Sequence, residues 1–210
     1  MLNRILISII MISFAVAQPS FTTRNISTSI NGARHVFTAD LDNDGDLDIL
    51  VTSHSDDIVY WYESDGAADP SFTANSVTTS ADAATGVFAI DIDRDGDMDL
   101  VSSSGDDDKI AWYENDGAAD PSFTSRTIAT SADRPQAVFA ADMDNDGDVD
   151  VVSGSYNDNA VSWYENDGAA DPSFTAADIN TAAEGLYDIH VADMDNDGDL
   201  DILSSSSNND

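Results

Sequence analysis

Cysteine is absent from this sequence of 210 residues, and basic residues are scarce. Only 7 lysines and arginines stand against 41 acidic residues, which gives a formal net charge of -34. A field of that sign repels nucleic acids and anionic membrane surfaces, because their phosphates add like charge to like. We therefore expect the chain to bind cations, and we expect no nucleic-acid partner.

The first 17 residues have the features of a secretory signal peptide. Arg4 supplies a positive charge, a short apolar run follows, and Ala15-Val16-Ala17 has the small-x-small pattern of a cleavage site. The alternative is a membrane anchor, but the run is shorter than the roughly 20 apolar residues that span a bilayer. We expect the segment to be removed, which leaves a secreted or cell-surface protein without a membrane span. Without cysteine, such a protein needs another means of stabilisation, and metal ions are the obvious one.

Residues 18–210 consist of a repeat with a period of 51 residues. An acidic loop opens at the same point of each unit, at Asp40, Asp91, Asp142 and Asp193. A Trp-Tyr-Glu triplet and a Pro-Ser-Phe-Thr stretch recur with the same step. A further Pro-Ser-Phe-Thr stretch begins at Pro19, so the chain after the signal peptide enters the repeat midway.

Each period contains four short β-prone runs separated by turn residues, and none has a helical periodicity long enough for a helix. In the first full unit, the predicted strands cover residues 35–39, 47–53, 58–63 and 72–79. An Asp-Gly pair marks the turn between the third and fourth strands. Val59 and Trp61 lie on one face of the third strand, and Tyr60 and Tyr62 lie on the other. Both faces of the sheet must therefore be covered.

Radial stacking of four-stranded sheets into a β-propeller covers both faces of each sheet, so we expect an all-β fold of antiparallel blades. A linear β-solenoid is the alternative, but its coils are usually far shorter. The predicted blades cover about residues 33–81, 84–132 and 135–183, with a partial blade at 186–210. A strand at 19–29, which has the phase of a fourth strand, precedes them. A ring takes about four to eight blades, so we expect an incomplete ring, a fragment of a longer propeller.

The acidic loops all have the form D-x-D-x-D-G-D-x-D. Neighbouring carboxylates about 4 Å apart repel each other by about 1 kcal/mol per pair even in water, and a hard divalent cation reverses that sign. Calcium takes about 6–8 oxygen ligands, which side chains at loop positions 1, 3 and 5 can begin to supply. Glycine at position 6 permits the sharp turn. An EF-hand is excluded because position 12 lacks its glutamate.

Position 9 is expected to supply a closing carboxylate at the start of the next strand, and position 7 a backbone carbonyl, with its carboxylate pointing outward. We therefore expect about one Ca²⁺ per repeat. The predicted ligands are Asp40, Asp42, Asp44, Asp46, Asp48, Asp91, Asp93, Asp95, Asp97, Asp99, Asp142, Asp144, Asp146, Asp148, Asp150, Asp193, Asp195, Asp197, Asp199 and Asp201.

From Pro19 onward, the chain resembles the FG-GAP and VCBS repeat families, and the resemblance rests on these four loops. It implies β-propeller blades that carry Ca²⁺ between their first two strands, with ligands at the same five positions. The strand that precedes the first loop, Val36-Phe37-Thr38-Ala39, lacks the Phe-Gly and Gly-Ala-Pro signatures of the integrin version. We therefore do not expect integrin-like ligand recognition.

No catalytic constellation is visible in the sequence. His35, His54 and His190 occupy unrelated positions of the repeat, although His190 aligns with a recurring phenylalanine. Glu63 recurs in every full unit at a strand end, which favours a structural role. The tryptophans and tyrosines are expected in the core between blades, with an exposed sugar-binding surface as the alternative.

These observations predict a non-enzymatic calcium-binding module for binding or adhesion, with an extracellular protein or glycan as its partner. Variable loops at residues 53–57, 104–108 and 155–159 would present the contact surface. The alternative function is the propeller part of a longer extracellular enzyme, such as a polysaccharide-degrading one. A further alternative is that the acidic residues serve only to keep a salt-exposed surface hydrated. Acidic residues scattered over a surface would not, however, place glycine at the sixth position of every loop.

Overall fold

The computed structural model describes residues 22–208, and the predicted signal peptide lies outside that range. Fourteen strands form within it: β1 (Ala33–Ala39), β2 (Asp48–Ser53), β3 (Ile58–Ser64), β4 (Phe72–Thr78), β5 (Ala84–Ile90), β6 (Asp99–Ser104), β7 (Lys109–Asn115), β8 (Phe123–Ala129), β9 (Pro135–Ala141), β10 (Asp150–Ser155), β11 (Val161–Asn166), β12 (Phe174–Asn180), β13 (Leu186–Ala192) and β14 (Asp201–Ser206). None of the described residues belongs to a helix that could cross a membrane.

The strands form three antiparallel meanders, β1 to β4, β5 to β8 and β9 to β12, followed by the pair β13 and β14. Corresponding strands begin 51 residues apart, as the repeat predicts, except that β11 begins one residue later. In the first sheet, the observed bounds differ from the predicted ones by no more than two residues. The strand predicted at 47–53 begins one residue later, because Leu47 belongs to the acidic loop, where 64% of its surface is exposed.

The sheets stack face to face along their innermost strands, because β1 contacts β5, β5 contacts β9, and β9 contacts β13. A hydrophobic cluster fills the space between each two successive sheets. The first cluster joins Leu50 and Trp61 of one sheet to Val87 and Tyr113 of the next. This arrangement confirms the all-β propeller fold with four-stranded blades, and the described sheets form an open row rather than a closed ring.

The recurring aromatic residues of the third strands lie mainly in these clusters. Trp61 and Trp112 are 2% and 1% exposed, and Trp163 is half-buried against the third cluster. The Trp61 ring meets the edge of Phe123, which belongs to the next blade, at a centroid distance of 6.3 Å. The predicted core position of the tryptophans is therefore confirmed, since burial leaves no exposed tryptophan stripe on the described blades.

Residues 22–32 form no strand, although the sequence predicts one at 19–29. The segment nevertheless follows the path of a fourth strand, because Arg24 pairs with Asp69 as Arg126 pairs with Asp171 two units later. Fourth strands of the complete blades are hydrogen-bonded along a third strand. No third strand lies beside this segment in the described residues, so its backbone has no strand with which to form hydrogen bonds. The ion pair between Arg24 and Asp69 forms nevertheless.

Candidate metal centres

Each acidic loop joins the first strand of a sheet to the second, and its own backbone orients its carboxylates. In the first loop, Gly45 N–H donates to Asp40 Oδ2 at 2.9 Å. Asp44 N–H donates to Asp42 Oδ1 at 3.3 Å, and Asp46 N–H donates to Asp44 Oδ1 at 2.9 Å. The same three bonds recur in the other loops. The loop conformation therefore follows from the spacing of its aspartates.

Positions 4 and 6 of each loop reverse the chain with positive φ angles. In the first loop, Asn43 has φ 58° and Gly45 has φ 94°. Asparagine tolerates the left-handed region better than most residues, and glycine adopts it without a steric penalty. Arg94 occupies position 4 of the second loop at φ 63°, so its contacts must stabilise a conformation that arginine disfavours.

Three carboxylates converge in each loop, with oxygen atoms within 4.8 Å of one another. The converging residues of the described loops are Asp40, Asp42 and Asp44; Asp91, Asp93 and Asp99; Asp142, Asp144 and Asp146; and Asp193, Asp195 and Asp197. The structure thus brings together positions 1, 3 and 5 in three loops, and positions 1, 3 and 9 in the second. The remaining predicted ligands lie outside these triplets.

Position 9 carries a buried aspartate in the three complete blades. Asp99 is 0% exposed; its Oδ1 accepts from Asn115 N–H at 2.8 Å, and its Oδ2 accepts from Ile92 N–H at 3.0 Å. Burial raises the pKa of Asp99 to about 7, although both hydrogen bonds act in the opposite direction. The residue therefore ties the loop to the end of the third strand, and a nearby cation would favour its ionised form.

The second loop also leaves one carboxylate oxygen without a partner. Asp91 Oδ1 is buried and accepts no hydrogen bond, whereas the corresponding Asp40 Oδ1 accepts from Asp44 N–H at 3.1 Å. An unpaired buried carboxylate oxygen is costly. Burial, followed by repulsion from neighbouring aspartates, raises the pKa of Asp93 beside it, against a backbone hydrogen bond that lowers it. This all-oxygen donor set fits a hard cation such as Ca²⁺.

In the three complete blades, the carboxylates at position 7 do not point outward, so that expectation is wrong for Asp46, Asp97 and Asp148. They lie against the glycine of the Asp-Gly turn between the third and fourth strands. A β-carbon placed on Gly66 would lie 1.7 Å from Asp46 Oδ2, and one on Gly117 would lie 2.1 Å from Asp97 Oδ2. The sequence pattern predicts that the backbone carbonyl of position 7 is a ligand. It contains no information about the Asp-Gly turn that packs against the position-7 side chain.

Position 4, to which the sequence pattern assigns no role, connects successive blades. Asn43 Nδ2 donates to Asp97 Oδ1 of the next loop at 2.8 Å, and Asn145 Nδ2 donates to Asp199 Oδ1 at 3.3 Å. The recurrence of asparagine at this position was the available signal. Both asparagines therefore reach the position-7 carboxylate of the following loop.

Arg94 makes the same connection between the second and third blades with a larger side chain. Its guanidinium forms an ion pair with Asp148 at 2.5 Å and donates to the carbonyl oxygens of Gly147 and Gly168 at 3.2 and 3.1 Å. These three contacts hold Arg94 in its left-handed conformation. The acidic loops thus form a continuous row rather than isolated sites.

Replacement of Asn43 by alanine should remove one such connection and lower the free energy of unfolding by about 0.5–1.5 kcal/mol relative to a matched control. The control is Asn196→Ala, at the same loop position with nearly the same φ angle, 62° against 58°. No further loop follows Asn196 in the described residues, so both variants share the backbone strain and only one loses the bond. Urea denaturation measures the difference. Equal losses in both variants would contradict a stabilising connection.

The fold and these loops define a class: a β-propeller whose blades each carry an aspartate-rich loop suited to a cation. The model of the FG-GAP-like repeat matches the chain three times, at residues 40–102, 101–153 and 142–204. These matches span more than half of the sequence, and the chain belongs to the FG-GAP-like repeat family. A search of curated proteins found no match.

Proposed function

We propose that this chain is a secreted or cell-surface binding module in which Ca²⁺ has a structural role in every blade. The observation that carries the proposal is the convergence of three carboxylate oxygens within 4.8 Å in each of the four described loops. The buried, unpartnered Asp91 Oδ1 adds support, because a bound cation would supply its missing partner.

The ion would be held by the converging carboxylates, and when bound it would neutralise part of their mutual repulsion. The contacts of the surrounding residues support a structural role. Asp99 ties its loop to the third strand of the blade, and Asn43 ties one loop to the next. A rigid loop therefore fixes two strands of its own blade and one contact with the following blade.

The distribution of constant and variable segments within the repeat supports a binding role. The stretch Asp-Gly-Ala-Ala-Asp-Pro-Ser-Phe-Thr is identical at residues 65–73, 116–124 and 167–175. The loops at 53–57, 104–108 and 155–159 differ from one another, and they lie at the other end of the second strands from the acidic loops. Variable loops on a constant scaffold suit recognition of a partner. We propose no catalytic role for this chain.

Calorimetric titration of the full chain with CaCl₂ tests the calcium proposal. We expect saturable binding at about one ion for each of the four loops, in a millimolar or lower concentration range. Magnesium should bind more weakly, since it demands a smaller octahedral shell and retains its water. Absence of saturable calcium binding at millimolar concentration would overturn the proposal.

Export is tested separately by the N-terminal sequence of the protein recovered outside its cell. The pattern Ala15-Val16-Ala17 predicts that the exported chain begins at Gln18. A product that retains Met1 and stays inside the cell would contradict secretion, without affecting the calcium proposal.

A further inference from the structure

A concave cavity of about 620 Å³ lies against the innermost strands β1, β5, β9 and β13. Its lining comes mainly from the first residues of these strands, including Arg34 and Gln136. Along β1, the lining extends to Phe37, the fifth residue of the strand. The acidic loops instead follow the last residues of the same strands, such as Ala39. The cavity is therefore separate from the candidate metal centres.

A row of aromatic side chains forms one wall of this cavity. The ring centroids of Phe37 and Phe88 are 4.7 Å apart, and those of Phe88 and Phe139 are 4.5 Å apart. His190 continues the row at 5.6 Å from Phe139. The three phenylalanines are half-buried, and His190 is exposed. The wall therefore presents an aromatic surface, built from one residue of each innermost strand, to the cavity.

The polar residues at the rim of the cavity do not follow the repeat. Where the first innermost strand has Arg34, the third has Gln136 and the fourth has Tyr187; where the first has His35, the fourth has Asp188. Structural positions elsewhere in these units repeat closely, as the identical stretch at residues 65–73 shows. Variation at the rim of a cavity, like that of the loops at the ends of the second strands, is typical of residues that select a ligand rather than support the fold.

The charge of the lining differs from that of the whole chain. Apart from two histidines, the lining contains one cation, Arg34, and one anion, Asp188, in a protein with a formal net charge of -34. Both side chains are exposed, and Arg34 forms no ion pair among the described residues. A locally balanced lining with donors and acceptors favours a neutral, polar ligand over an anion or a cation.

We propose that this cavity binds a neutral pyranose sugar, as a monosaccharide or as the terminal disaccharide of a glycan. The C–H face of a pyranose is apolar, which suits contact with the aromatic wall formed by Phe37, Phe88 and Phe139. Its hydroxyl groups would pair with Arg34, Gln136 and Asp188, which offer donors and acceptors together. The volume lies within the range of about 300–1,000 Å³ that is usual for small-ligand sites. This inference rests on the proposed role as a binding module.

The test is a titration of the full chain, with calcium present, against neutral hexoses, N-acetylhexosamines and their disaccharides, with uronic acids and a quaternary ammonium compound as charged comparisons. Binding is followed by saturation-transfer NMR and by calorimetry. We expect saturable binding of at least one neutral sugar, weakened about 10-fold or more by Arg34→Ala and by Asp188→Asn. Lys109→Ala, which removes the same charge outside the cavity, should leave the affinity unchanged.

Three results would overturn the proposal. They are the absence of binding for every neutral sugar, binding that Arg34→Ala and Asp188→Asn leave unchanged, and binding confined to uronic acids or quaternary ammonium compounds. Both substituted side chains are exposed, so the fold should persist, and unchanged calcium binding in the same samples verifies it. A chain that binds calcium but no sugar would refute the sugar site alone, whereas a chain that binds no calcium would refute the proposed function.

Discussion

Saturation with calcium should raise the midpoint of thermal unfolding by about 5–10 °C for one occupied loop, and by more when all four are occupied. A ligand at 100 times its dissociation constant stabilises the native state by about 2.7 kcal/mol per site. For a chain of this size, 1 kcal/mol corresponds to about 2–4 °C. The effect is large because each loop crowds five carboxylates into nine residues, and the unfolded chain does not hold them together. Excess chelator should reverse the shift.

Two controls separate specific binding from general screening of the acidic surface. Sodium chloride at the same ionic strength screens repulsion between exposed charges but does not coordinate the converging oxygens. Magnesium has the same charge as calcium and a stricter shell. A shift that sodium chloride reproduces in full would show that the acids only repel one another, and it would contradict the calcium loops.

Replacement of Leu50 by alanine should lower the free energy of unfolding by about 2–5 kcal/mol, as expected when a fully buried leucine is truncated in a core that cannot collapse. Leu50 is 0% exposed and lies in the cluster between the first two blades, with Val87 and Ala89 of the second. This decrease in the free energy of unfolding measures the packing of one blade on the next, because each blade can bury its apolar face only against a neighbouring blade. Chemical denaturation followed by tryptophan fluorescence gives the value.

The repeat supplies a matched control for this substitution. Leu203 occupies the same position of the last described sheet, but 41% of its surface is exposed. Leu203→Ala should therefore cost less than about 1 kcal/mol. Similar losses for Leu50→Ala and Leu203→Ala would show that stability arises within each sheet and not from the contact between blades.

The repeat made the fold predictable from sequence alone. The fixed step between acidic loops set the register of every blade, and bulky residues on both faces of the third strand required neighbours on both sides. Residues 22–32, the described part of the chain before Ala33, do not form the strand predicted at 19–29, because strand formation depends on a hydrogen-bonding partner and not only on local sequence. Side-chain contacts such as that between Arg24 and Asp69 survive without that partner.

The candidate site was only partly predictable. The recurring aspartates indicated the convergence of positions 1, 3 and 5 in three of the loops, since that geometry is local. Position 9, also a predicted ligand, joins only the second triplet, and position 7 joins none. The contact between Asn43 and Asp97 spans 54 residues, and it depends on how one blade sits against another. The same holds for the row from Phe37 to His190: their equivalent positions were visible in the sequence, but the distances between their rings were not.

The most direct test of calcium binding by the loops is a calcium titration of a variant with a substitution in one loop. Asp91→Asn keeps the shape of the side chain but places an amide where the buried, unpartnered oxygen lies. The number of bound ions per chain should fall by one relative to the unsubstituted protein. Asp120→Asn, which removes the same charge from an exposed turn of the same blade, should not change it. An unchanged ion count in Asp91→Asn, or an equal decrease in Asp120→Asn, would contradict the assignment of calcium to the four loops.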